Sequence, residues 1–130
     1  MASTADTKER LRLAAFDVVR TKGLSAASAR AIGTAAGVNQ ALIFYHFGTV
    51  NELIEAASNE AVERSVARYA EGFSQVTSLA ELLEVGMRVH DEERRRGHVA
   101  VMAQLMAGGQ HDPVLARASK HAVGLWTAQV

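Results

Sequence analysis

No cysteine occurs in the 130-residue sequence, which excludes disulfides and thiolate metal sites and suits a reducing compartment. No uninterrupted apolar stretch approaches the ~20 residues that span a bilayer, so no membrane helix is expected. Met1 to Thr7 are small and polar, with no apolar run behind a basic start, and do not read as a secretory signal. No H-E-x-x-H pair and no glycine-rich phosphate loop is present, so neither a zinc hydrolase nor a nucleotide-phosphate site is expected. A cytoplasmic protein of one domain, or of a small module joined to part of a second, fits these absences. Net charge is also lacking, with 14 basic and 14 acidic side chains, but that balance is an average over an uneven chain.

Divided at Leu53, the first part carries Lys8, Arg10, Arg12, Arg20, Lys22 and Arg30 against Asp6, Glu9, Asp17 and Glu52. The remainder carries eight basic and ten acidic side chains. A basic first third on an acidic body is the pattern of a nucleic-acid-binding head on a different partner module.

Apolar residues recur at helical spacing nearly throughout, and no segment alternates like a strand. A first helix is predicted from Asp6, with Asp6 and Glu9 as an acidic capping box, and Leu11, Ala14, Ala15, Val18 and Val19 on one face. Gly23 ends it. A second helix spans about Ser28 to Gly37 and a third about Asn39 to Phe47, too short to persist alone in water. Thr49 opens a long helix to about Phe73, with Val62, Val66, Tyr69 and Phe73 as its later stripe. Ser78 and Glu81 open another, whose predicted inner face is Leu79, Leu82, Leu83, Gly86, Met87 and His90. Asp91 to Gly97 reads as a solvated bend, with Arg94, Arg95 and Arg96 answered by Asp91, Glu92 and Glu93. Val99, Met102, Leu105 and Met106 belong to a further helix ended by Gly108 and Gly109. The one proline, Pro113, follows Asp112 as a helix start. Leu115, Ala118, Ala122, Leu125 and Trp126 line the last helix, which has no stop signal and reads as cut; its apolar side is expected to lie open.

The informative stretch is Ser28 to Phe47. Ala31, Ile32, Ala35 and Ala36 permit close helix contact, Gly37 can take positive φ, Val38 plugs the turn and Asn39 caps the next helix. Ile43 and Phe47, four apart, face the core. This is a helix-turn-helix, whose second helix can enter a DNA major groove.

From Lys8 to Ala57 the chain resembles the tetracycline-repressor (TetR) family of bacterial transcriptional regulators. The resemblance rests on Ala14-Ala15, Gly23, Ile32, Ala36-Gly37-Val38, Ile43-Phe44-x-His46-Phe47 and Leu53. It implies an all-α fold, with a helix-turn-helix head over residues 6–48 and a partial effector-binding and dimerisation domain over 49–130. Phe44 stands where the family usually has a tyrosine, Val50 where it has a phosphate-contacting lysine, and Ala41 where it has glycine or proline.

The resemblance implies double-stranded operator DNA, a small-molecule effector and a second copy of the complete protein as partners, with no catalytic site, metal or cofactor. Asn39, Gln40 and Leu42 are the candidates for base contact. Ser28, Arg30, Ala41, Phe44, Tyr45, His46 and Thr49 complete the candidate DNA face, Ser28 and Thr49 also as helix caps. Met87, His90, Met102, Leu105, Met106 and Trp126 are the candidates for lining an effector pocket, with plain core packing as the alternative for the apolar ones. The competing function is a small helical enzyme or metal-binding protein centred on His90. It finds no second group at credible spacing, because His90 and Glu93 supply two ligands at most.

Overall fold

The computed structural model describes residues 3–129 as seven α-helices and one 3-10 turn. They are α1 (Thr4–Lys22), the turn (Leu24–Ala26), α2 (Ala29–Ala36), α3 (Ala41–Phe47), α4 (Val50–Ser74), α5 (Leu79–Arg95), α6 (His98–Gly108) and α7 (Pro113–Thr127). The expected all-α fold is the observed one.

Helix starts follow local chemistry. Ser28, Thr49, Ser78 and Asp112 each accept a hydrogen bond from a backbone N–H two or three residues on, satisfying a donor that the helix itself leaves free. The first helix begins earlier than its acidic pair predicts. Ser3 is the cap, accepting from Asp6 N at 3.1 Å, while the Asp6 carboxylate accepts from Ser3 N. Asp6 is therefore the last residue of the box, third in the helix, and not its first.

The core is continuous across residue 48. Leu11, Ala15, Ile32 and Ile43 of the predicted head share one buried cluster with Leu53, Val101, Leu105, Leu115 and Ala118. The head thus rests on α6 and α7 as well as on its own helices. Successive links set the helix directions. Asn51 with Asp112, Glu55 with Arg117, and Tyr69 beside Trp126 show α4 and α7 running parallel. Arg12 with Glu60 and Arg64 with Glu9 set α1 antiparallel to α4.

Three expectations change. Leu115, Ala118 and Ala122 are buried, packed with α4, so that side of α7 is not open. The predicted inner stripe of α5 lies outside: Leu79, Leu83 and Met87 are exposed, while Val89 and Glu93 turn inward. Periodicity finds an apolar stripe, but neighbouring helices decide which stripe is covered. Finally, residues 91–95 are helix, not bend, and the reversal is confined to Gly97 at φ +81°.

Candidate DNA-facing surface and ligand cavity

Gly37 ends α2 in the left-handed conformation at φ +70°, where a side chain would strain the backbone. Val38 N–H then bonds Gly33 carbonyl at 3.1 Å. Gly33 itself is buried, and a Cβ there would meet Val38 O at 3.1 Å and Gln40 Cα at 3.2 Å. The start of α3 therefore lies directly against the α2 backbone. Sequence reasoning singled out Gly37 and passed over Gly33; a glycine inside a short apolar helix was the available signal.

Only Ile43 of α3 is fully buried, with Leu42, Phe47 and Val50 packed beside it. The opposite side of the helix projects from the molecule. Gln40 and Ala41 are exposed, Phe44 is 51% exposed and Tyr45 81%. Positions 40, 41, 44 and 45 fall on one helical face, so four candidates are brought together there. Asn39 is exposed beside them, its side-chain oxygen accepting from Ala41 N at 2.9 Å. His46 is half-buried, with its ring edge-on to Tyr45 at 4.9 Å. Leu42 faces the core more than the surface.

The flanks supply helix ends and charge. Ser28 Oγ accepts from Ala31 N at 3.1 Å and Thr49 Oγ1 from Glu52 N at 3.0 Å, both residues exposed. Arg30 is exposed and makes no ion pair among the described residues, and it lines a shallow cleft with Asn39 and Gln40. The other cations of the first third are largely engaged. Arg10 donates to Ala36 O at 2.8 Å, satisfying the end of α2. Arg12 pairs with Glu9 and Glu60, and Arg20 with Asp17. Lys8 and Lys22, like Arg30, make no ion pair among the described residues, and of these three Arg30 lines the cleft with Asn39 and Gln40. Val50 packs partly into the core, so the position where the family's lysine stands does not project freely here.

A second feature lies between α4, α5, α6 and α7, a cavity of about 380 Å³. Phe73, Val89, Met102, Val123 and Trp126 give it an apolar lining, and His90, Glu93 and His98 give it polar groups. Of the predicted pocket residues, His90, Met102 and Trp126 meet here. Met87 lies on the adjoining open groove of about 660 Å³, which His90 also borders. Leu105 does not line the cavity, because it is wholly buried in the core shared with the head. Met106 is exposed on α6, away from it.

Glu93 and His98 are the polar residues that sequence reasoning missed. Glu93 is 6% exposed. Its Oε2 accepts from Ser65 Oγ at 3.0 Å and lies 2.6 Å from His98 Nδ1, and its Oε1 accepts from Tyr69 OH at 3.1 Å. Tyr69 also donates to Glu92 at 2.9 Å, and burial together with that bond holds its phenol above the usual range. Of the charged run, only Asp91 answers its neighbours, Arg94 and Arg95. Position 93 falls on the side of α5 that meets α4, which local charge pattern does not reveal.

Ser65, His98 and Glu93 do not form a nucleophile relay. Ser65 and Glu93 approach the same ring nitrogen, at 3.2 and 2.6 Å, whereas a relay needs serine on one nitrogen and the carboxylate on the other. Among the described residues no group of three or more histidine or acidic side chains is placed to hold a metal ion. The His90-centred alternative has no support in this arrangement.

Residues 11–57 match the family model for bacterial regulatory proteins of the tetR family. An uncharacterized HTH-type transcriptional regulator of Mycobacterium tuberculosis is 23% identical over 125 residues, 96% of this chain and 64% of the relative. The chain thus spans less than two thirds of that relative's length. The nicotine-responsive transcriptional repressor HdnoR of Paenarthrobacter nicotinovorans is 33% identical over 81 residues, 60% of this chain and 42% of that protein. The crystal structure of the multidrug binding protein EbrR, complexed with imidazole, superposes with a TM-score of 0.71. It is 25% identical, over 94% of this chain and 69% of that one. Residues 11–57 thus match the tetR family of bacterial regulatory proteins, and the helical body that follows them is similar in fold to that of EbrR.

Proposed function

We propose that the chain is the DNA-binding and effector-sensing part of a ligand-responsive transcriptional repressor, without enzymatic activity and working in the cytoplasm as a homodimer. The observation that carries this reading is the outward face of α3, where Gln40, Ala41, Phe44 and Tyr45 project while Ile43, with Leu42 and Phe47 beside it, anchors the helix. An exposed helix face beside an exposed Arg30 and the α2 N-terminus suits a major groove flanked by phosphates. Among the described residues no helix is long and apolar enough to cross a membrane. The apolar cavity in the helical body is the place for an effector, and relatives named for nicotine response and multidrug binding support such a role. For release to follow, the effector must bind the conformation that fits DNA poorly more tightly than the one that fits it well.

Selection from a random duplex pool, followed by a salt titration on the winner, tests the reading. A DNA-contacting head gives a preferred sequence and a steep loss of affinity with salt. On that duplex Gln40→Ala is expected to cost ~1–3 kcal/mol and relax one base pair per half-site, while Arg30→Ala weakens preferred and scrambled duplexes alike. A pool that yields no preferred sequence, with binding indifferent to salt, refutes the proposal.

A further inference from the structure

A cleft separate from the effector cavity lies between α1 and α4 and reaches the turn that joins α5 to α6. Its volume is about 250 Å³. Arg12 enters it from α1, Arg64 and Arg68 from α4, and Arg96 from the turn. The Arg20 side chain lies against Gly97, where a Cβ would come 2.7 Å from Arg20 Cγ, so that turn sits directly on α1. Four guanidiniums from three parts of the chain thus line one small space, and a guanidinium keeps its charge inside a protein.

Two of the four are already answered. Arg12 and Arg64 both pair with Glu9 and Glu60, at 2.7 to 3.5 Å. Asp17, the other acid in the lining, pairs with Arg20. Arg68 has its nearest carboxylate, Glu93, at 3.9 Å, beyond hydrogen-bond reach. Arg96 pairs with no acid among the described residues. Four arginines against Asp17 and Glu60 leave the lining with a formal excess of positive charge.

The rest of the lining is apolar. Leu13 is 52% exposed, Ala57 and Ala61 form the wall on α4, and the Phe16 ring meets His98 edge-on at 5.1 Å. Guanidiniums hold a carboxylate or phosphate through short, charge-assisted bonds. A ring laid over Leu13 and Phe16 adds apolar burial that a bare ion cannot gain. So small a volume excludes a duplex or a folded partner and suits a compact ligand.

We propose that this cleft binds a small organic anion, a carboxylate or phosphate on a flat apolar body, with its charge between Arg68 and Arg96 and its body over Leu13, Phe16 and Ala61. The site is distinct from the effector cavity and does not depend on the repressor reading. Its occupant touches α1, α4 and the α5–α6 turn at once, and so ties the predicted head to the helical body.

The test titrates the chain by calorimetry at low salt. Naphthalene-2-carboxylate, 2-naphthyl phosphate, 2-naphthalenemethanol and 2-naphthylmethylammonium share one ring body, and acetate lacks it. The two naphthyl anions are expected to bind at least about tenfold tighter than the alcohol, with the ammonium weakest, and to weaken as salt rises. Binding by one of the two anions alone identifies the head group and supports the proposal. Arg68→Gln and Arg96→Gln are each expected to weaken the anions at least about threefold and spare the alcohol; both arginines are exposed, so the fold tolerates the change. Val123→Trp fills the effector cavity, which Val123 lines, and is expected to leave anion binding unchanged. An alcohol that matches the anions, or an anion preference unchanged in both arginine variants, overturns the proposal. So does acetate that matches the naphthoate, which marks an adventitious ion only, and so does a loss of anion binding in Val123→Trp. Failure of both anions to bind, by calorimetry and by thermal melts, overturns it as well.

Discussion

Ile43 is the residue on which the outer face of α3 depends. The helix has seven residues, far below the ~12–15 at which an isolated helix becomes even marginal in water. Its docking must come from packing, and Ile43 is its one fully buried side chain, at 0% exposure. Leu42 and Phe47 add partial burial. Truncating a buried isoleucine to alanine costs ~2–5 kcal/mol, and to valine ~0.5–1.5 kcal/mol, the spread reflecting how far the site collapses. Ile43→Val is therefore expected to lower the urea midpoint slightly and preserve DNA affinity. Ile43→Ala is expected to lose ~2–5 kcal/mol by urea unfolding followed by circular dichroism, or to lose DNA binding through local undocking of α3. Phe44→Ala provides the contrast. Its ring is half exposed, so stability should move by no more than about 0.5 kcal/mol while binding to the selected duplex weakens. If Ile43→Ala leaves both stability and DNA affinity within about 0.5 kcal/mol of the parent, the reasoning is wrong. If Phe44→Ala destabilises the fold more than Ile43→Ala does, inside and outside have been misassigned.

Gly37→Ala places a Cβ at φ +70°, 3.0 Å from Arg10 Nη2. A loss of ~1–2 kcal/mol is expected in thermal or urea melts, and an unchanged midpoint would refute it. Gln104→Leu removes an acceptor from Leu24 N at 2.5 Å and a donor to Val19 O at 3.3 Å. The partly buried backbone groups left behind should cost ~1–3 kcal/mol in the same melts, with no cost if water replaces the amide freely. Asp112 is held below the usual carboxylate range, first by the Asn51 side chain and then by the N–H groups it caps. A carboxyl lowered in the folded state contributes stability above its unfolded value, and that contribution is lost as pH falls through the folded one. Melts of the parent and Asp112→Asn are therefore expected to differ near neutrality and to converge below about pH 4; a difference constant across pH would contradict the assignment.

What could be read from the sequence was chemistry confined to a few consecutive residues. Ser28, Thr49, Ser78 and Asp112 cap the helices that they were expected to cap, because an N-cap bond joins residues two or three apart. Gly23, Gly37 and Gly48 end helices at positive φ for the same local reason. Features set by a partner distant in the chain were not legible. Glu93 looked like one of three acids answering three arginines, yet its bonds go to Ser65, Tyr69 and His98. Arg10 counted toward a DNA-binding charge excess, but its guanidinium ends on the Ala36 carbonyl. The outer stripe of α5 was apolar enough to look internal, and the packing of α4 and α6 turned Val89 inward instead.

The shared core constrains how the cavity and the DNA-facing surface can influence one another. Helix α6 is 11 residues long and meets both the cavity and the core beneath the head. Its first turns carry His98 and Met102 along the cavity. Further along, Leu105 is buried among head residues, and Gln104 bonds the backbone at the end of α1 and at the turn that follows. The His98 ring also meets Phe16 of α1 edge-on at 5.1 Å. A ligand that displaced α6 by an ångström could not leave α1 untouched, since close-packed side chains transmit strain instead of absorbing it. It would have to break the Gln104 bonds, open a void around Leu105, or carry α1 along. The first two each cost on the order of 1–3 kcal/mol, and the third strains the ion pairs that hold α1 to α4. Because α1 holds α2 through Arg10 and the common core, the orientation of α3 would move with it.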